Sequence, residues 1–205
     1  RLTADILGVE RSQWNHACYG PLHDICQPTT HAETLRTLAH SIDPHIPATL
    51  IQQAVNERQQ RFDFALQTIE PRVLALLGQL RRRGFKLALI SNASTAEVAA
   101  WPQSPLQALF DVAVFSCDCG AKKPEAQIYQ QALQQLALDA SDCIFVGDGG
   151  SNEHYGAYQV GMRPVLITHH LDKTTIDATR TRQGQYLHAE VANLADLWPV
   201  LDKNE

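Results

Sequence analysis

The sequence predicts an α/β fold, a doubly wound parallel sheet with flanking helices, preceded by a small all-helical unit. Three observations carry this. From about Phe64 onward, short β-prone runs alternate with amphipathic helical stretches. Before that point no convincing strand pattern occurs. The polar residues with chemical potential follow the strand-like runs, and right-handed crossovers bring the C-terminal ends of parallel strands to one edge, where ligands bind.

The bulk properties fit. A chain of 205 residues suits one domain, or a core with a small inserted unit. With 44% hydrophobic and 19% charged residues it can bury a real core, which argues against disorder. A net charge of −5 gives no global attraction to nucleic acid or an anionic membrane, so neither is expected as a partner. No apolar run approaches the roughly 20 residues of a membrane span. Five irregularly spaced cysteines argue for a reducing compartment, hence a cytoplasmic location, rather than a disulfide framework. Cys117 and Cys119 lack the second pair that a zinc site needs. The chain opens on Arg1 rather than Met and runs straight into a helical pattern, from which a missing or processed N-terminus is expected.

Taken in order, Leu2, Ile6 and Leu7 share one helical face, and Gly8 stops that helix. A second helix spans Glu10 to Tyr19. A third begins at Thr30, where Thr30-x-x-Glu33 has the form of a capping box ahead of Leu35, Leu38 and Ile42. A fourth starts near Pro47, with Leu50, Ile51, Ala54 and Val55 on one side. These helices make up an expected unit of residues 1–66, and residues 67–205 the sheet domain.

In that second part, Pro71 opens a helix with Val73, Leu76, Leu77 and Leu80 at helical spacing, and Arg81 to Gly84 close it. Strands are predicted at 85–90, 112–115, 143–146 and 164–167. Pro164 at the start of the last suggests an edge position. Helices are predicted at about 95–100, from Pro124 through Leu136, at 152–159, and over Val191 to Leu201.

Three loops then converge. Ser91 and Asn92 end a strand and offer a hydroxyl, an amide and backbone N–H groups to phosphate oxygens or an oxyanion; the plainer alternative is a turn or helix cap. Lys123, before Pro124 at a predicted helix N-terminus, is placed to share a bound anion with that dipole; one of Lys122 and Lys123 is expected to be a solvated surface lysine. Asp148, within Gly147-Asp148-Gly149-Gly150 after a buried strand, is suited to a hard cation, or simply to capping a turn. Glu153 could orient Lys123 or a metal-bound water, or merely favour a helix start.

Together these motifs resemble the haloacid dehalogenase superfamily. Ser91-Asn92 after L-A-L-I looks like its second motif, Lys123 in K-K-P-E-A-Q-I-Y like its third, and V-G-D-G-G-S-N-E-H-Y-G-A with the following V-G-M like its acidic fourth. The resemblance implies a Rossmann-like core, with residues 1–66 as its α-helical cap. It also implies hydrolysis of a small phosphorylated metabolite through an aspartyl-phosphate, with Mg²⁺ as cofactor. Ser91 with the Asn92 backbone would bind phosphate, Lys123 would bridge phosphate and nucleophile, and Asp148 would ligate Mg²⁺. Glu153, where many relatives have Asp, would act behind the metal.

One departure is an absence. The family's first motif, Asp-x-Asp-x-Thr/Ser, has no match, since Asp5-Ile6-Leu7 has Leu where the second Asp is required. The strand that carries it is central in the family's sheet, between the strands read at 85–90 and 143–146. A fragment lacking roughly 15–25 upstream residues, inactive as it stands, is therefore expected. A 2-haloacid dehalogenase, a phosphosugar mutase and a non-catalytic phospholigand- or protein-binding relative remain as alternatives. The histidines at 16, 23, 31, 40 and 45 are read as surface or helix-end residues, and His154 and His169-His170 carry no assigned role.

Overall fold

A computed structural model gives the arrangement of residues 2–202. The described residues form two compact units, and the division is not a single cut after residue 66. The first unit runs to Ile69 and also takes Asn92–Ala108 and Phe115–Gly120; the second takes Glu70–Ser91, Leu109–Val114 and the chain from Ala121.

The first unit is helical. It contains α1 (Thr3–Leu7), α2 (Arg11–Tyr19), α3 (His31–Ile42) and α4 (Ala48–Gln67). The expected capping box is present: the Thr30 hydroxyl accepts from the Glu33 amide, and the Thr30 amide donates to the Glu33 carboxylate. This satisfies amides that the first helical turn leaves unpaired. Ile6, Leu7, Leu35, Leu38, Ile51 and Ala54 bury the faces that their spacing marked and, with Trp14 of α2, form one core across all four helices.

The later segments of this unit dock on the same helices. The short α6 (Thr95–Val98) packs against α4. Ser116, fully buried, joins two of the segments: its hydroxyl accepts from the Ala93 amide at 2.9 Å and donates to the Ile25 carbonyl at 2.8 Å.

The second unit holds α5 (Pro71–Arg82), β1 (Ala88–Ser91) and most of β2 (Val112–Phe115); a one-turn helix, α7 (Ser116–Cys119), follows in the first unit. The second unit continues with α8 (Ala126–Leu136), β3 (Ile144–Gly147), α9 (Glu153–Gln159) and β4 (Arg163–Ile167). It ends with α10 (Lys173–Gln183), β5 (Ala189–Val191) and α11 (Trp198–Leu201). β3, β4 and β5 are parallel, with Phe145 opposite Pro164 and Val165 opposite Ala189. α9 covers β3 and β4, while α8 packs on β1 and on α9. Val165, Val191 and Leu197 centre the apolar cluster on the β3–β4–β5 sheet.

Among the described residues the strands pair as two sheets, β1–β2 and β3–β4–β5.

Several local expectations need correction. The strand after α5 starts at Ala88 rather than Phe85, because the preceding residues are engaged elsewhere: Lys86 Nζ donates to the Leu136 carbonyl, and the Leu87 amide to the Asp111 carboxylate. Pro124 does not open a helix. Its bond to Lys123 is cis and α8 begins at Ala126. β4 is a middle strand rather than an edge; Pro164 is accommodated near its start, where its carbonyl accepts from the His188 amide. α10 and β5 were not anticipated, and β5 occupies part of the stretch expected to be helical.

Candidate active site

The core of the site is a buried ion pair. Lys123 Nζ lies 2.6 Å from Glu153 Oε2, with side chains only 14% and 5% exposed. Local backbone geometry sets this up. β3 ends at Gly147, and Gly149 has φ +90°, a left-handed conformation that glycine adopts without penalty. A side chain there would also strike Thr179. Ser151 and Asn152 are left-handed too, so the chain turns tightly into α9 and delivers Glu153 as its first residue.

Glu153 then does two jobs. Oε2 takes the lysine, and Oε1 accepts from the Gly149 amide at 3.0 Å, tying the carboxylate back to its own loop. The Tyr129 hydroxyl donates to the Glu153 backbone carbonyl at 2.8 Å. That hydroxyl is fully buried, and burial, helped by the Glu153 charge, holds its pKa well above the ordinary value. Lys123 also sits over the Phe145 ring, with Nζ 5.8 Å from its centroid. Lys122 is exposed.

Close approach of backbones makes this possible. At Gly156 a Cβ would overlap the Pro124 carbonyl and the Tyr129 ring, so α9 lies directly on the segment that carries Lys123.

Asp148 is exposed at the end of β3, and its Oδ1 accepts from the Gly150 amide at 2.9 Å. Among the described residues no three His, Cys, Asp or Glu side chains converge as a metal-holding group. Mg²⁺ needs no such cluster, because it keeps several waters and binds through one or two carboxylates plus substrate phosphate oxygens. A single open carboxylate beside a glycine loop fits that demand. Glu153, committed to Lys123 and Gly149, does not offer itself as a direct ligand.

Ser91 is the last residue of β1 and Asn92 follows it, so both hold the strand-end position expected of them. The contacts thus bring together Lys123, Glu153 and the Gly149 loop next to Asp148.

Two contributors were not foreseen. Gln183, at the end of α10 and 1% exposed, donates from Nε2 to the Gly149 carbonyl at 2.8 Å and accepts from the His154 amide at 3.1 Å. His154 is fully buried, with Nε2 3.1 Å from the Gly147 carbonyl, which requires the proton on that nitrogen. Burial lowers its pKa against the opposing pull of Glu153, so it is a neutral strut. No sequence spacing pointed to Gln183; His154 was visible as a neighbour of Glu153.

Comparison with known proteins gives a family. A family model described as haloacid dehalogenase-like hydrolase matches residues 22–153, and a second, HAD-hydrolase-like model matches 120–196. A glyceraldehyde 3-phosphate phosphatase from Methanothermobacter thermautotrophicus is 27% identical over 127 residues, 57% of this chain and 55% of that protein. The chain spans about half the length of the curated relatives it matches. Among solved structures, a HAD phosphatase from Thermococcus onnurineus superposes with a TM-score of 0.65 at 21% identity, covering 97% of this chain and 84% of that one. A 2-haloacid dehalogenase from Pseudomonas syringae gives 0.61 at 24% identity, covering 98% and 85%. With its first family match covering well over half of its length, the chain belongs to the haloacid dehalogenase-like hydrolases.

Proposed function

We propose that this chain forms the cap and most of the core of a Mg²⁺-dependent phosphatase acting on a small phosphomonoester. The observation that carries the reading is the buried Lys123–Glu153 pair held against the loop that bears Asp148. An ammonium fixed there neutralises charge on a transferred phosphoryl group, and Glu153 keeps it in place through substrate binding and release. Ser91 and the Asn92 backbone would donate to phosphate oxygens. Asp148 would hold the cation, which supplies further neutralisation of phosphate charge. A phosphatase among the sequence relatives supports a phosphorylated substrate.

The attacking carboxylate would come from an Asp-x-Asp motif outside these 205 residues, which contain none. The chain by itself is then expected to be inactive. The test is to join the native upstream residues to the chain and assay hydrolysis of a generic phosphomonoester with and without Mg²⁺. Metal-dependent turnover that vanishes when the first Asp of the motif becomes Asn is expected; absence of turnover with the motif in place overturns the reading.

A further inference from the structure

The two buried residues of α10 are polar: Thr179 and Gln183, one turn apart. Both meet Gly149. The Thr179 methyl occupies the space that a Cβ at Gly149 would need. Gln183 uses its amide from both ends, with Nε2 donating to the Gly149 carbonyl at 2.8 Å and Oε1 accepting from the His154 amide at 3.1 Å. Reversing that amide would set donor against donor and oxygen against oxygen, so its orientation is fixed.

The carbonyl that Gln183 holds matters because of what shares its peptide. Gly149 C=O and Gly150 N–H belong to one planar unit and point in opposite directions. The Gly150 N–H donates to Asp148 Oδ1 at 2.9 Å. Gln183 and Asp148 therefore grip the two ends of a single rigid peptide. The peptide before it is held as well, because the Gly149 amide donates to Glu153 Oε1 at 3.0 Å. The loop needs such outside support: Ser151 and Asn152 are left-handed, at φ 51° and 50°, a conformation that residues other than glycine adopt at a cost.

We propose that Gln183 is a positioning residue for the cation site: by fixing the Gly149–Gly150 peptide, it sets the direction in which the Asp148 carboxylate faces. The proposal rests on the reading of Asp148 as the cation ligand and extends that reading to α10. A hydrogen bond to the carbonyl also polarises the peptide and strengthens its N–H as a donor. Loss of Gln183 would thus free the peptide and weaken its hold on Asp148 together.

The test is a titration of the chain with Mn²⁺, competed by Mg²⁺, read as paramagnetic broadening of the Gly149 and Gly150 amide signals by NMR. In the wild type, broadening that Mg²⁺ reverses and D148N abolishes is expected. Q183M keeps the bulk of the side chain and removes its donor. It should need about tenfold more Mn²⁺ or worse for the same broadening, and its Gly150 amide should already be shifted in the metal-free state. D172A is the control: Asp172 caps the far end of α10, accepting from the Thr175 amide at 2.8 Å. Its loss weakens the helix without touching the loop, and the Mn²⁺ affinity should stay within about twofold of wild type. Wild-type Gly150 signals that ignore millimolar Mn²⁺ overturn the reading of Asp148, and the proposal with it. A folded Q183M with wild-type affinity, or an equal loss in D172A, overturns the role of Gln183 alone. If Q183M does not fold, the wild type decides. Mg²⁺ should then move the Gln183 side-chain amide signals together with the Gly150 amide, since one peptide joins them; Gln183 signals that stay still while Gly150 shifts overturn the proposal.

Discussion

Glu153 holds Lys123 at 2.6 Å with one carboxylate oxygen and the Gly149 amide at 3.0 Å with the other. The residue that positions the cation therefore also closes the loop carrying Asp148. Two parts of the site that are far apart in sequence share one carboxylate, and disturbance of either is felt by both.

Removing the carboxylate should therefore cost more than an ordinary ion pair. E153A strips the nearly buried Lys123 ammonium of its carboxylate and the buried Gly149 amide of its acceptor, and a loss of about 3–5 kcal/mol in unfolding free energy is expected. E153Q, which can still accept from Gly149, should lose less. Urea denaturation of the two variants measures the difference, and equal losses would contradict the double role.

At Gly156 the packing leaves no space. The G156A Cβ would enter the Pro124 carbonyl and the Tyr129 ring. Overpacking of this kind costs about 1–3 kcal/mol, and the shift of α9 should loosen the Tyr129 bond to the Glu153 carbonyl. A lowered denaturation midpoint with an altered Tyr129 ring signal is the expected result.

His31 should make stability depend on pH. Its folded pKa lies below the ordinary 6.5, so above that value both folded and unfolded states are neutral and nothing is gained or lost. As pH falls through 6.5 the unfolded chain binds a proton that the folded chain resists, and stability declines until the folded pKa is reached. H31Q should flatten that part of the curve. Equilibrium unfolding across the acidic range, compared between the two proteins, checks the sign.

Asp148 is exposed, and its substitution should spare the fold. D148N keeps an acceptor for the Gly150 amide, so stability should change by no more than about 0.5 kcal/mol. In a chain extended upstream to carry an Asp-x-Asp motif, the same change should raise the Mg²⁺ concentration needed for turnover by about tenfold or more. An unaltered metal dependence would remove Asp148 from the cation site.

Much of this was legible because the signals were local. Thr30 and Glu33 announce α3 within four residues, and Pro71 with Leu76, Leu77 and Leu80 announces α5. Lys123 and Glu153 stood out by motif order, and their contact joins residues 30 apart in the chain.

What stayed hidden was decided at a distance. α10 is polar along most of its length and gives no amphipathic signal, yet it carries Gln183 to the Gly149 loop. β5 has only three residues and takes its register from β4. Phe85 to Leu87 look like strand, but Lys86 and Leu87 find partners in Leu136 and Asp111 first. His31 is a helix-end residue, as its position suggested, but its ring nitrogens are buried, which no spacing encodes.

The Gln183 side chain bonds both the Gly149 carbonyl and the His154 amide, 34 and 29 residues earlier in the chain. The end of α10 and the glycine loop consequently form one cooperative unit: neither opens to solvent without stripping the other of buried partners. Fluctuations that expose the loop amides should carry the last turn of α10 with them. Opening of the Asp148 loop should then be linked to fraying of a helix that lies well beyond it in the chain.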